Sequence, residues 1–311
     1  MALIGTLSNM RYWIILGVAM ALLIGPIGDF SSNLLIIVLI IQMTLSMDGL
    51  TLNSENIKKN KRPILYSVIG CFGISAGVTL IIGSFFISGH QDLWNGWVLL
   101  AAVPCAVSCV TMSFYLKGNT TMCVLALAVV YFLALALTPL ITLVMLGEAV
   151  SVLKILSYVI LFVVVPMAAS FPLKKIKIDR TTRMITVNIM MFLMVFLALG
   201  ANRDFLSSEP VVVILVIIAC IVRVFVVGFL MTHIFKKKGS NRENALVYIP
   251  MSVWKNSGLA TTLCFVLFGS AAGAALPCAI SLLVEVLWFA SISSYIEKIW
   301  PSDNPISAVN G

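Results

Sequence analysis

The stretch PVVVILVIIACIVRVFVVGFLMTHIF, from Pro210 to Phe235, decides the fold. It exceeds the roughly 20 apolar residues that carry a helix across a bilayer. Arg223 is its single permanently charged residue, and it runs straight into Lys236-Lys237-Lys238. The rest of the chain repeats this pattern. Of 311 residues, 61% are hydrophobic and only 10% charged, with a mean hydropathy of +1.10. A soluble domain carries roughly a quarter charged residues, so this chain lacks the polar surface to face water all round.

Apolar runs fall near 12–27, 33–47, 63–87, 97–115, 121–146, 152–170, 183–200, 210–235, 245–268 and 273–298. Charges and turn formers separate them: Gly28-Asp29, Asn53 to Arg62, Gly89 to Asn95, Lys117-Gly118-Asn119, Gly147-Glu148, Lys174 to Arg183, Asn202 to Pro210, and Lys236 to Glu243. Every connection is short. Residues 1–311 therefore read as a single transmembrane domain, all α-helical, with ten spans. Met1 to Met10 lacks the basic start of a signal peptide, and no cleavage site follows Trp13 to Ile27, so the first run reads as a span.

The net charge of +8 would suggest nucleic acid in a soluble protein, but the charges sort by membrane side. With ten spans, sixteen of the 20 Lys and Arg fall on one side, in Arg11, the 58–62 loop, Lys117, the 174–183 loop, the 236–242 loop and Lys298. Lys154 and Arg203 fall on the other, while Arg223 and Lys255 lie within spans. Positive loops stay in the cytoplasm. Both termini are therefore expected there, in a multi-pass protein of the cell membrane.

Ten spans divide into five plus five, and an odd number per half turns the second half upside down. The halves are approximately 1–148 and 149–311. Pro104 sits inside span four with Ser108 and Thr111 after it. Pro250 sits inside span nine with Ser252, Asn256, Ser257 and Gly258 after it, and Pro139 and Pro277 match loosely in spans five and ten. Proline followed by small polar residues marks either a simple kink or a broken helix whose freed backbone groups face a cavity. Two such places at corresponding positions point to a substrate site.

Arg223, Lys255 and Glu285 lie near the middles of spans eight, nine and ten, and Asp48 ends span two at the interface. A charge at mid-membrane costs at least about 2.5–3.5 kcal/mol, so it pairs or faces a cavity. One reading is a structural salt bridge; the other is a transport site. Glu285 is expected to pair, with Arg223 favoured over Lys255 because its fork suits a buried carboxylate. The seven cysteines, Cys71, Cys105, Cys109, Cys123, Cys220, Cys264 and Cys278, all lie in apolar runs and read as small buried hydrophobes. Gly70, Gly73 and Gly77 read as close-packing positions. His90 and His233 have no acidic or cysteine partner at ligand spacing, and no phosphate-binding motif occurs. No enzyme and no cofactor is indicated.

PCAVSCVTMSFYLKGN, Pro104 to Asn119, resembles the fourth-helix signature PGGTxSNxMTYLxKGN of bile acid:sodium symporters. KNSGLA, Lys255 to Ala260, is similar to their ninth-helix QNSGLA, and Ala275-Leu276-Pro277 and Thr138-Pro139 also fit. The resemblance covers nearly the whole chain. It implies a panel domain and a core domain, with helices four and nine broken and crossing in the core. It also implies transport of organic anions such as bile salts, pantoate or related carboxylates.

The departures fall on the family's sodium ligands. Its Ser-Asn pair in helix four corresponds to Cys109-Val110, and its two helix-five hydroxyls to Cys123 and Leu127. Its Glu and Gln in helix nine correspond to Met251 and Lys255, and span three offers no Gln. A hard cation needs several oxygen ligands, which thiol, hydrocarbon and thioether groups do not supply. The expectation is therefore a sodium-independent secondary transporter of a small organic anion, with Lys255 in place of the sodium ions and protons as possible partners. The expected binding and coupling residues are Lys255, Asn256, Ser257, Ser108, Cys109, Thr111, Met251, Glu285 and Arg223. Two alternatives stand beside it. Pro104-Cys105 and Leu283-Val284-Glu285-Val286 resemble arsenite-efflux permeases, although the acidic residue of their helix nine would fall near Gly258. A membrane scaffold or receptor that moves no solute is the other.

Overall fold

The structure is a computed structural model, and it describes residues 7, 9–25, 28, 31–47, 57, 60–147, 150–173, 175–176, 178–269 and 273–301. Asp48, Lys58, Lys59, Lys174 and Lys177 lie outside the described residues. The described residues form helices and their connections, with no strand among them. The helices are α1 (Met10–Ile24), α2 (Ser31–Ser46), α3 (Lys61–Ser84), α4 (Gln91–Ala102), α5 (Ser108–Tyr115), α6 (Thr120–Leu146) and α7 (Val152–Leu173). They continue with α8 (Arg180–Ala201), the short α9 (Arg203–Ser208), α10 (Pro210–Lys237), α11 (Arg242–Val253), α12 (Ser257–Phe268) and α13 (Ala275–Ile299).

Six of these are long and apolar enough to cross a membrane: α3, α6, α7, α10 and α13 over their full lengths, and α8 from Thr181 to Ala201. Met10–Ile24, Asn33–Ser46 and Ser257–Phe268 are shorter apolar helices. Their starts follow side-chain chemistry. Asn9, Asn119, Ser151, Asp179, Asn241 and Asn256 each accept a hydrogen bond from a first-turn N–H, which satisfies donors that the helix itself leaves open. Large apolar side chains such as Phe85 and Leu153 are exposed, as a lipid-facing surface requires.

Two connections differ from the sequence reading. Gly89 to Asn95 is not a loop throughout, because α4 begins at Gln91 and already buries Asn95. Asn202 to Pro210 contains α9. The expected kink prolines also behave differently from one another. Pro139 and Pro277 lie within continuous α6 and α13, and Pro250 lies within α11. Pro104 alone of the four falls in an interruption, between α4 and α5.

α1, α2, α7 and α8 pack on one another, while α3 to α6 and α10 to α13 surround the interruptions. Small residues set the closest approaches. A Cβ on Gly96 would collide with the Ala274 carbonyl, and one on Gly70 with the Ser252 hydroxyl. Gly70 thus does what the sequence suggested, whereas Gly77 meets nothing within 4 Å. At one end of the molecule, Arg242 bonds the Trp300 carbonyl at 2.9 Å and the Glu297 carboxylate at 2.8 Å, and Asn119 N–H bonds the Glu243 carbonyl at 3.0 Å. Lys236 bonds the Ile299 carbonyl. These bonds bring Lys117, the 236–242 cations and Lys298 together at that end.

Candidate functional site

The helical ladder stops after Ala102 and resumes at Ser108, and it stops again after Val253 and resumes at Ser257. Pro104 offers no N–H and its ring opposes continuation of α4. The two open segments satisfy each other. Ala106 N–H donates to the Trp254 carbonyl at 3.0 Å and Asn256 N–H to the Pro104 carbonyl at 2.8 Å, forming an antiparallel bridge centred on Cys105 and Lys255. Open backbone at membrane depth is tolerated only when it is paired in this way or faces a cavity.

Lys255 is fully buried, and its ammonium reaches away from the bridge toward α3. Nζ donates to the Val103 carbonyl at 2.7 Å and to the Cys71 carbonyl at 3.1 Å, with the Cys71 Sγ at 3.8 Å and the Phe72 ring centroid at 5.2 Å. Among the described residues, no carboxylate lies within salt-bridge reach of it. Glu285 instead pairs with Arg223, Nη2 to Oε1 at 2.5 Å, as expected. The expected two-pronged fork is absent, because Nη1 is spent on the Val253 carbonyl at 3.2 Å and Nη2 also contacts the Ser281 hydroxyl. The remaining acceptor capacity of Glu285 is taken by Ser257 Oγ at 2.8 Å, Lys255 N–H at 3.1 Å and Ser281 Oγ at 3.2 Å. Four donor groups thus converge on this buried carboxylate.

Each flanking helix widens beside an interruption. α3 carries a π-helical turn over Ile69–Ser75 and α10 another over Val222–Val226. Such turns shift the register of the side chains they carry and recur at functional sites. They hold Cys71 and Arg223 respectively.

A small, partly open cleft of about 40 Å³ lies against the bridge. One wall holds Ala106, Val107, Ser108, Asn256, Ser257 and Gly258; the other holds Gln42, Met43 and Ser46 of α2 with Met191 and Met194 of α8. Asn256 is fixed three ways. Its Oδ1 caps α12 at Leu259 N–H, 3.1 Å, while its Nδ2 donates to Tyr131 Oη at 2.9 Å and meets Met43 Sδ at 3.4 Å. Val107, Ser108 and Gly258 N–H carry no hydrogen bond among the described residues. The N-terminal ends of α5 and α12, where helix dipoles favour negative charge, thus border the same space.

Of the residues singled out in the sequence, Lys255, Asn256, Ser257, Ser108 and Glu285 line the cleft, and Arg223 stands behind Glu285. Cys109 and Met251 are buried beside the interruptions without lining it, as are Cys123 and Leu127 in α6, and Val110 is half-buried. Thr111 is exposed on α5 and does not line the cleft. All seven cysteines are buried and free. Sequence reading missed Cys71, Val103 and Val253, which act through backbone carbonyls, and Tyr131. It also passed over Gln42, although a lone amide in an apolar span was a readable signal.

Six helices long and apolar enough to cross a membrane surround two mutually paired interruptions with three charged groups buried between them, the arrangement of an integral membrane protein. Residues 33–209, more than half of the chain, match the model of the sodium bile acid symporter family, and the protein belongs to that family. It therefore works on a small molecule within a lipid bilayer. No curated protein matches the chain.

Proposed function

We propose that the protein is a secondary transporter of a small organic anion that works without sodium, using Lys255 as its built-in cation. The observation that carries this reading is the 2.7 Å hydrogen bond from Lys255 Nζ to the Val103 carbonyl, with no carboxylate of the described residues within salt-bridge reach of the ammonium. Arg223 and Glu285 offset each other, which leaves Lys255 as a net positive charge next to the cleft. An organic carboxylate offsets that charge, and the unbonded N–H groups of Val107, Ser108 and Gly258 are suited to its oxygens. Met43, Met191 and Met194 supply an adaptable apolar wall for the rest of the molecule.

The same reading has ten spans in two inverted five-helix repeats. α4 with α5, and α11 with α12, are the broken fourth and ninth spans. α1, α2, α7 and α8 form the panel, and the remaining spans form the core. Both termini face the cytoplasm of a plasma-membrane protein, by the distribution of Lys and Arg.

The test is a thermal-shift screen of organic carboxylates on the purified protein, followed by uptake of each hit into liposomes. At least one carboxylate raises the melting temperature, and its uptake is the same in sodium, potassium and choline media. Sodium-dependent uptake ends the sodium-independent reading, and liposomes that move no solute favour the scaffold.

A further inference from the structure

The two buried cations make the same connection in the two halves of the molecule. Val103 directly follows α4, and Val253 is the last residue of α11. The ammonium of Lys255 ties the Val103 carbonyl to the Cys71 carbonyl in the π-helical turn of α3. The guanidinium of Arg223, itself in the π-helical turn of α10, bonds the Val253 carbonyl. In each half, one cation joins the widened turn of a flanking helix to the carbonyl end of an interrupted helix. That end carries the negative pole of the helix dipole, and the interruption removes the N–H groups that would have covered its last carbonyls.

We infer that Arg223 and Lys255 are a matched pair of tethered cations, each closing the carbonyl end of one interrupted helix, so that Arg223 is a positioning residue rather than only the partner of Glu285. Three features support this. Arg223 divides its nitrogens between Val253 and Glu285 instead of presenting both to the carboxylate. Both side chains are essentially fully buried. Both lie within hydrogen-bond reach of a carbonyl at the same structural place. The inference goes beyond the proposed transport function and stands whether or not the protein carries an anion.

If the two groups act as tethered cations, shortening either side chain leaves a place that a free cation of matching shape fills. The experiment is thermal unfolding of the full-length purified protein at constant ionic strength. Lys255→Ala is tested in methylammonium chloride against choline chloride. Arg223→Ala is tested in the Glu285→Gln background, so that no stranded carboxylate contributes, in low millimolar guanidinium against choline. The expected result is that each variant melts below its parent. Each then regains about 3 °C when its matching cation is present at several times its Kd, while the unaltered protein does not discriminate. A variant that responds equally to choline and to the matching cation overturns the pairing. Should an alanine variant not fold, charge-keeping and apolar replacements answer the same question. Lys255→Arg, and Arg223→Lys with Glu285→Gln, then melt higher than the corresponding methionine variants. Equal melting overturns the inference. Cation rescue of the variants together with no carboxylate uptake by the unaltered protein counts against the transport reading alone.

Discussion

The Nζ atom of Lys255 lies 2.7 Å from the carbonyl oxygen of Val103, so a side chain of the second interruption closes the helix end at the first. This bond complements the backbone bridge between Cys105 and Lys255. The bridge aligns the two open segments, and the ammonium then adds positive charge where α4 ends. A bound ion would do this reversibly, whereas the side chain of Lys255 is held there by the fold.

Lys255→Gln keeps a donor of similar reach and removes the charge. The purified variant is expected to fold, with a melting temperature below that of the parent, and liposomes containing it take up no organic carboxylate. Lys255→Arg keeps the charge and is expected to bind the carboxylate. Its uptake rate shows whether Lys255 releases a proton in the cycle, because arginine does not. Normal uptake by Lys255→Gln would remove Lys255 from the mechanism.

Glu285→Gln strands Arg223 without its counter-charge, and breaking a buried pair costs about 3–5 kcal/mol. Chemical denaturation is expected to show a loss of that order. Adding Arg223→Gln is expected to recover part of it, giving a coupling energy between the two sites. Simple additivity would mean that the short contact between them contributes nothing to stability.

Gly96 and Gly77 give a pair of opposite outcomes. A methyl group at Gly96 runs into the Ala274 carbonyl, a backbone atom that has no rotamer with which to move away. Gly96→Ala is expected to destabilise the protein by about 1–3 kcal/mol or more. Gly77 faces open space inside α3, and Gly77→Ala is expected to be neutral or slightly stabilising, since alanine favours the helix. Unfolding midpoints of the two variants decide the matter.

Those two glycines also show how far the sequence could be read. Small residues in a span signal close packing, but the sequence does not say which of Gly70, Gly73 and Gly77 meets a neighbour. The apolar runs placed most helix ends to within a few residues, because hydrocarbon thickness constrains them, but α4 starts six residues before its run and α9 lies in an expected loop. Pro104 marked one interruption directly. Pro250 did not, because α11 continues past it for three residues before Trp254 leaves the helix. Lys255, Arg223 and Glu285 were visible as charges in the wrong solvent. Their partners at Val103, Val253 and Cys71 are carbonyl oxygens, which every residue has, so no side-chain pattern reveals them. The π-helical turns that orient two of these groups leave no clear mark on composition either.

Asp179 predicts an acid limit on the start of α8. The Thr182 hydroxyl, then the Thr182 and Thr181 N–H groups, bond its carboxylate and hold its pKa down from 3.8 to about 2. A depressed carboxylate contributes stability that is fully present above its unfolded value and is lost as pH falls toward its folded one. The difference in melting temperature between the unaltered protein and Asp179→Asn is therefore expected to be constant above about pH 5 and to narrow below pH 4. A difference that stays constant down to pH 3 would mean that the cap does not need the charge.

Orientation is the remaining expectation, and the native cysteines make it easy to test, because all seven are buried. A membrane-impermeant maleimide has little to react with in the unaltered protein, so an introduced surface thiol reports cleanly. Lys175, Lys237, Gln91 and Asp204 are all exposed in the structure. By the distribution of Lys and Arg, Lys175→Cys and Lys237→Cys are expected to label only when the cytoplasmic side is open. Gln91→Cys and Asp204→Cys are expected to label from outside in intact cells. Lys237 belongs to the end where Lys236 meets Ile299 and Arg242 meets Glu297 and Trp300, so its side also fixes where α13 finishes. Two residues pull against each other in the inverted-repeat argument: Lys175 follows span six and Asp204 follows span seven. If both label from one side, span seven does not cross, the second half no longer mirrors the first, and the ten-span reading fails with it.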